Sequence, residues 1–448
     1  MNPSEDLRSI FFRAVERVDP YLMITGNISM ESGTLVIQHE GRSVVREDLS
    51  KYRDVVVVGI GKASAKMGRA MEEILGEHMA KGAVITKYGH SEKLSRIAVM
   101  EAGHPIPDEN SINSARILHR IAAEADEKTL IINLVSGGGS ALFTLPHGGI
   151  SLHDIQETTR LLLESGADIR EINCLRKHLS QVKGGHFART AFPARMINII
   201  LSDVVGDRLD TIASGISVAD DTTYAQARDI LKKYRIHDKV PSAITDLVQS
   251  GIEGGIPDTP KQGDPVFANI VNVLLGNNLA ACRAARSAGE TLGYRAHIMT
   301  SSLTGEAREI AKFFTSLARD LDQGISDFSR PALLIAGGET TVTIRGRGKG
   351  GRNQEMALAF LDDLMKNYPS FRNISFLSAG TDGNDGPTDA AGAIIDDALA
   401  EKVRSLGINP AEYLEDNDAY HFFEKTGALF KTGPTNTNVC DLQLLIVT

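Results

Sequence analysis

Tryptophan is absent from this 448-residue chain, cysteine occurs three times, and aromatic residues make up only 5%. Cys174, Cys282 and Cys440 are widely separated and form no C-x-x-C pair, so neither a disulfide framework nor a cysteine zinc site is indicated. They read as buried, reduced thiols. No uninterrupted apolar run approaches the ~20 residues of a membrane span, and Met1-Asn2-Pro3-Ser4-Glu5-Asp6 lacks the charged-then-apolar layout of a signal peptide. The expectation is a cytoplasmic protein with no membrane partner. Positive charge is also in short supply: 48 Lys and Arg stand against 57 Asp and Glu, a net charge of −9. A broad basic face for nucleic acid is therefore not expected, and local cationic loops in an acidic chain point to a small anionic ligand. No repeat of fixed period and no low-complexity tract occurs.

What is present is ordinary globular material, 42% apolar and 23% charged, in a chain too long for one core. Two domains are expected: a Rossmann-like three-layer α/β/α domain over residues 1–240, a connection at 241–268 where Gly and Pro accumulate, and a smaller mixed α/β domain over 269–448. Short apolar strands (Asp54–Val58, Ala83–Thr86, Ile97–Met100, Thr129–Val135, Met196–Leu201) alternate with amphipathic segments in the first half. That pattern suits a mostly parallel sheet covered on both faces. After the connection, strands are expected at Ile270–Leu275, Ala296–Thr300, Ala332–Ala336, Thr341–Arg345, Ile374–Ser378 and Leu442–Val447.

Chemistry concentrates at strand ends. Gly59-Ile60-Gly61-Lys62-Ala63-Ser64 resembles two nucleotide fingerprints and satisfies neither, because Ser64 replaces the third glycine of G-x-G-x-x-G and Ala63 replaces the hydroxyl residue of a P-loop. A lysine at a strand-to-helix turn remains, able to reach an anion or simply to point into water. Ser136, Gly137, Gly138, Gly139 and Ser140 follow another strand, and bare amides flanked by hydroxyls suit a carboxylate or phosphate oxygen. Arg176 and Lys183 belong to a basic helix end that is either an anion contact or an ordinary dipole partner. Asp203 sits at the tip of a strand, while Asp207 and Asp210 are metal ligands or turn formers. Gly103-His104-Pro105 reads as a turn or a pocket histidine, and Asn277 as a base or ribose contact or a helix cap. Gly337, Gly338 and Glu339 open onto a cationic glycine loop, Arg345 to Arg352, which feeds a helix beginning near Asn353. Gly337, Gly338, Glu339, Gly348, Lys349, Gly350, Gly351 and Asn353 are therefore candidate nucleotide contacts, with Gly348 to Gly351 expected to cradle its phosphates. Asp382, Asp385 and Asp389 after the strand Ile374–Ser378 are, with Asp207, candidate Mg²⁺ ligands.

The ordered series Gly61-Lys62-Ala63, Gly103-His104-Pro105, Ser136 to Ser140, Arg176 to Ser180, Lys183-Gly184-Gly185, Ser202-Asp203, Gly337-Gly338-Glu339-Thr340, Gly350 to Glu355, Thr381-Asp382-Gly383, Asp385 to Gly392 and Thr432 to Thr435 resembles the class II glycerate kinases with their C-terminal MOFRL domain. The resemblance implies phosphorylation of D-glycerate by ATP with Mg²⁺, most often to 2-phosphoglycerate, in a cleft between the two domains. It implies catalytic roles for the residues matching Lys62 and Arg352; Asp203, at its strand tip, is the candidate acceptor of the hydroxyl proton. A monomer or homodimer is expected. An NAD(P)H-dependent hydroxypyruvate reductase and a non-catalytic sensor of phosphorylated sugar acids are the alternatives. The first lacks a complete G-x-G-x-x-G and has Lys87-Tyr88 where an acidic ribose ligand would stand; the second needs no carboxylate cluster at 382–389.

Overall fold

The structure is a computed structural model that describes residues 2–448. The chain forms two compact units: Pro20–Leu275, and the residues up to Asp19 together with Gly276–Thr448.

The first unit is built on a six-stranded sheet in the order Ile97–Ala102, Lys81–Lys87, Asp54–Ile60, Thr129–Val135, Arg195–Leu201 and Ile270–Gly276. The first five are mutually parallel. Every residue of Thr129–Val135 is buried, as expected of a central strand with both faces covered. Parallel strands that each feed a helix leave their carboxyl ends, and the loops after them, along one edge. Asn133, Asn198 and Asn272 form a side-chain chain across three neighbouring strands, with bonds of 2.7 and 2.9 Å that fix their relative register.

Two parts of this unit depart from the expected layout. A three-stranded antiparallel sheet, Ile28–Glu31, Thr34–His39 and Arg42–Asp48, precedes the parallel sheet. The stretch 241–268, read as a connection between domains, lies inside the unit. Its helix Ser242–Ile252 buries Ile244, Leu247 and Val248 in a core with Tyr224, Ala227 and Leu231. Gly251 there serves close packing, since a Cβ would come within 2.4 Å of the Tyr224 ring.

The second unit has a mixed sheet in the order Arg295–Leu303, Ala332–Gly338, Asp441–Val447, Ile374–Gly380, Gly392–Ile395 and Leu429–Phe430. Only the first pair is parallel. The N-terminal helix Pro3–Arg17 belongs to this unit: Phe11 meets Phe430 edge-on at 5.1 Å, and the Tyr294 hydroxyl donates to Asp6 at 2.6 Å. Thr341–Arg345 does not form the expected strand. Its amides go elsewhere, Thr343 to Glu306 at 2.8 Å and Arg345 to Asn417 at 2.7 Å, so no ladder runs along it. All three cysteines are buried, as expected. Among the described residues no helix is long and apolar enough to cross a membrane.

Candidate active site

In the first unit, three expected residues meet at the carboxyl ends of the parallel strands. The turn after Asp54–Ile60 presses onto the end of Thr129–Val135: the Lys62 amide donates to the Gly137 carbonyl at 2.8 Å, and the Ala63 amide to Ser136 Oγ at 3.1 Å. Gly61 permits this, with φ +120° and a hypothetical Cβ only 2.3 Å from Ser136. A Cβ on Gly137 would sit 1.9 Å from Asp203 Oδ2, and one on Gly138, at φ +86°, would meet the His104 ring at 2.9 Å and Lys62 Cγ at 3.2 Å. Lys62, His104 and Asp203 therefore surround two consecutive glycines, and the glycine run exists to let them in.

The electrostatics of the cluster follow from burial. Burial pushes the His104 imidazole down to about 4, and the nearby Lys62 ammonium adds to the shift, so His104 is neutral at neutral pH. Burial raises the Asp203 carboxyl above the usual range while Lys62 pulls it back. The Lys62 ammonium has no ion-pair partner within 4.0 Å among the described residues, and the amides of Gly137 to Ser140 donate to none of the described protein acceptors. A free cation, open amides and a proton acceptor thus share one strand edge.

The basic helix end divides into two functions. Lys177 pairs with buried Asp220 at 3.1 Å and His178 with Asp258 at 2.9 Å, contacts that anchor 258–261 to the helix. Arg176 and Lys183 instead face a separate cavity beside Ser140. Asp207 lies at positive φ in the turn after Asp203, its amide bonded to Val204 O at 3.0 Å.

In the second unit, Arg352 begins the helix Arg352–Asn367 and is gripped rather than free. Its Nε and one terminal nitrogen donate to the two oxygens of Asp441 at 2.6 and 2.9 Å, and its other terminal nitrogen lies 3.1 Å from Glu339. Asp441 is placed by register, opposite Gly338 on one strand and Gly380 on the other. Burial works against a charged Arg352, yet the Asp441 fork holds its pKa above the ordinary value.

The glycine loop has a different use from the phosphate cradle expected of it. The amides of Arg345, Gly346, Arg347, Gly348 and Lys349 all donate to the loop Asp416-Asn417-Asp418, at 2.7 to 3.0 Å. Gly348 is small because its Cβ would sit 2.4 Å from Asp418 Cβ. Gly351, 2.3 Å from Asp385 by the same measure, lets that carboxylate reach the helix start and accept from the amides of Asn353 and Gln354 at 3.0 and 2.8 Å. The helix N-terminus expected to receive phosphate is thus already capped by an internal anion. Burial pushes Asp385 up to about 6, against the pull of those two amides. Asn277 caps the helix Asn278–Thr291 through the Ala280 amide at 2.9 Å, and Gly337 makes room for Asn278, 2.0 Å from a hypothetical Cβ.

The carboxylates expected to bind Mg²⁺ are not assembled. Asp385 caps the helix, Asp389 pairs with Lys431 at 2.8 Å and accepts from Tyr420 at 2.9 Å, and Asp382 accepts from the Asn384 amide at 3.0 Å. Among the described residues no group of three or more His, Cys, Asp or Glu is arranged to hold a metal.

Residues 6–249 match a family described as a domain of unknown function, DUF4147, and residues 332–441 match the MOFRL family. A D-glycerate 2-kinase of Thermotoga maritima is 44% identical over 89% of this chain and 92% of its own length. A glycerate 2-kinase of Pyrococcus horikoshii is 41% identical over 99% and 98%. The chain belongs to the class II glycerate kinases. The crystal structure of a Thermotoga maritima glycerate kinase superposes on this class II glycerate kinase fold with a TM-score of 0.87, at 39% identity, covering 99% of each chain. The MOFRL match ends on Asp441, the residue that sequence reasoning missed in this glycerate kinase family member. The signal was available: an aspartate immediately before the apolar run Leu442–Val447, able to occupy a strand tip just as Asp203 does.

Proposed function

We propose that this chain transfers the terminal phosphoryl group of ATP to the 2-hydroxyl of D-glycerate, giving 2-phosphoglycerate and ADP. The observation that carries this reading is the meeting of Lys62, His104 and Asp203 around Gly137 and Gly138. Phosphoryl transfer asks a protein chiefly to align the nucleophile and to neutralise charge on the moving group. The open amides of Gly137 to Ser140 suit the glycerate carboxylate. Lys62 neutralises the transferring group. Asp203, raised by burial, is a stronger base than a surface aspartate and accepts the hydroxyl proton as the new P–O bond forms and the bond to ADP breaks. Neutral His104 adds no second positive charge beside Lys62. In the second unit Arg352 is the charge-neutralising group for nucleotide phosphates, with Asp441 as its positioning residue. Mg²⁺, which keeps several waters and takes only one or two carboxylates, would be held by the nucleotide phosphates with a carboxylate such as Asp382, and would supply further charge neutralisation there.

A hydroxypyruvate reductase fits the turn poorly. Ser64, standing where the third glycine of a dinucleotide fingerprint belongs, is buried and donates to Ile85 O at 2.8 Å, and the second strand closes on Lys87 rather than an acid. Incubation with ATP, Mg²⁺ and D-glycerate, coupled to enolase without and with a phosphoglycerate mutase, tests the proposal. It predicts a full enolase signal without the mutase. NADH oxidation with hydroxypyruvate and no ADP release would replace the kinase with the reductase.

A further inference from the structure

The first unit contains a cavity of about 730 Å³ whose lining includes Ser140, Arg176 and Lys183 but not Lys62, His104, Gly137 or Asp203. That volume lies in the ~300–1,000 Å³ range of sites that enclose drug-sized molecules. Glycerate, three carbons carrying two hydroxyls and a carboxylate, offers little to apolar walls.

The cavity lining includes the cations Arg160, Arg176 and Lys183 and the acids Glu157 and Glu164. The Arg176 guanidinium makes no hydrogen bond or ion pair with any described residue. Lys183 is 4% exposed, donates to the Phe143 carbonyl, and is brought down to about 7 by burial and by Arg176 beside it. Two neighbouring cations withdrawn from water destabilise the fold unless an anion offsets them. The two lining acids are already paired with the third cation: Glu157 and Glu164 are both held by Arg160, each at 2.6 Å, which leaves Arg176 and Lys183 without an acid. Leu145, Leu162, Leu175 and Leu179 form apolar walls, and Ile106 and Leu163 at the mouth are 66% and 60% exposed. Large apolar side chains left in water beside a cavity mark a surface that a ligand covers.

We propose that this cavity binds an amphipathic monocarboxylate, its carboxylate on the fork of Arg176 beside Lys183 and its aliphatic body against Leu145, Leu162, Leu163 and Ile106. Arginine favours the planar two-oxygen head, and a single negative charge matches a site in which Lys183 already donates to a carbonyl. The inference stands apart from the kinase reading, because binding is measured without ATP or glycerate.

Isothermal titration of the full chain with hexanoate, octanoate and decanoate tests it, with octanol, octyl phosphate and propionate as further arms. The expected result is saturable binding that tightens about fourfold per added methylene, with octanoate ahead of octyl phosphate, octanol and propionate. Arg176→Gln is expected to weaken octanoate at least tenfold. Leu163→Ser, at an exposed position that the fold tolerates, is expected to weaken it severalfold while leaving glycerate phosphorylation unchanged. Absence of saturable octanoate binding, indifference to both substitutions, tighter binding of octyl phosphate, or stoichiometric displacement by glycerate would each overturn the assignment.

Discussion

The guanidinium of Arg352 is clamped on the fully buried carboxylate of Asp441 through two hydrogen bonds of 2.6 and 2.9 Å. The charge assigned to the nucleotide phosphates sits at a helix start and is oriented by a residue at a strand tip, 89 positions away. Asp441→Asn keeps the shape and removes the ionic fork. The expected outcome is a loss in kcat of about 100-fold, comparable to removing one preorganised electrostatic group, with little change in KM for glycerate. Steady-state kinetics check this, and rescue by Asp441→Glu is not expected because the site has no room for an added methylene.

Gly137 is the point where a side chain would strike Asp203, at 1.9 Å. Gly137→Ala should therefore push Asp203 out of place and lower turnover by at least tenfold. Gly148→Ala, in the loop that follows and with nothing within 4 Å of its Cβ, should leave turnover unchanged. Parallel assays of the two variants measure the contrast.

The His178–Asp258 pair gives a pH window. Burial alone lowers the imidazole, but its bonds to Asp258 and Cys174 raise it from 6.5 to about 9, and Asp258 falls from 3.8 to about 2 despite the opposing effect of burial. A raised base contributes stability that is complete below 6.5 and lost through about 9; a depressed acid contributes stability that is complete above 3.8 and lost through about 2. The difference in melting temperature between the parent chain and Asp258→Asn should be greatest between those inner limits, 3.8 and 6.5, and should shrink as pH rises towards 9.

Gly348 separates the two uses of the glycine loop. If the loop packs on 416–418, Gly348→Ala costs about 1–3 kcal/mol of stability through overpacking and lowers the melting temperature by several degrees. The KM for ATP of the folded protein stays within about twofold, since one methyl in a packing contact removes no phosphate ligand. A large rise in KM with an unchanged melting temperature would restore the phosphate cradle.

Much of the fold was legible because its strands are short, apolar and alternate with amphipathic helices. Thr129–Val135 was read to the residue, and the other parallel strands of the first unit to within two residues at each end. The placement of Lys62 and Asp203 at the strand ends was legible for a related reason: polar residues directly after buried strands lie on the edge where α/β sites form. The glycine loop at 345–351 misled because composition cannot tell amides left open for an anion from amides used by a distant loop. The partners Asp416, Asn417 and Asp418 lie about seventy residues on, and no local pattern connects them. The 241–268 segment misled in a similar way, since Gly251 looks like a breaker and is a contact with Tyr224. Asp385 resembled a metal ligand because a carboxylate suited to a cation is equally suited to the amides at a helix start.

The most direct test is the rate of ADP release from ATP and D-glycerate by Lys62→Ala, measured beside its melting temperature. The account predicts a fall of about 100-fold or more in kcat, with a melting temperature within a degree or two of the parent, because the Lys62 ammonium has no ion-pair partner to lose among the described residues. Turnover near that of the parent chain would contradict it.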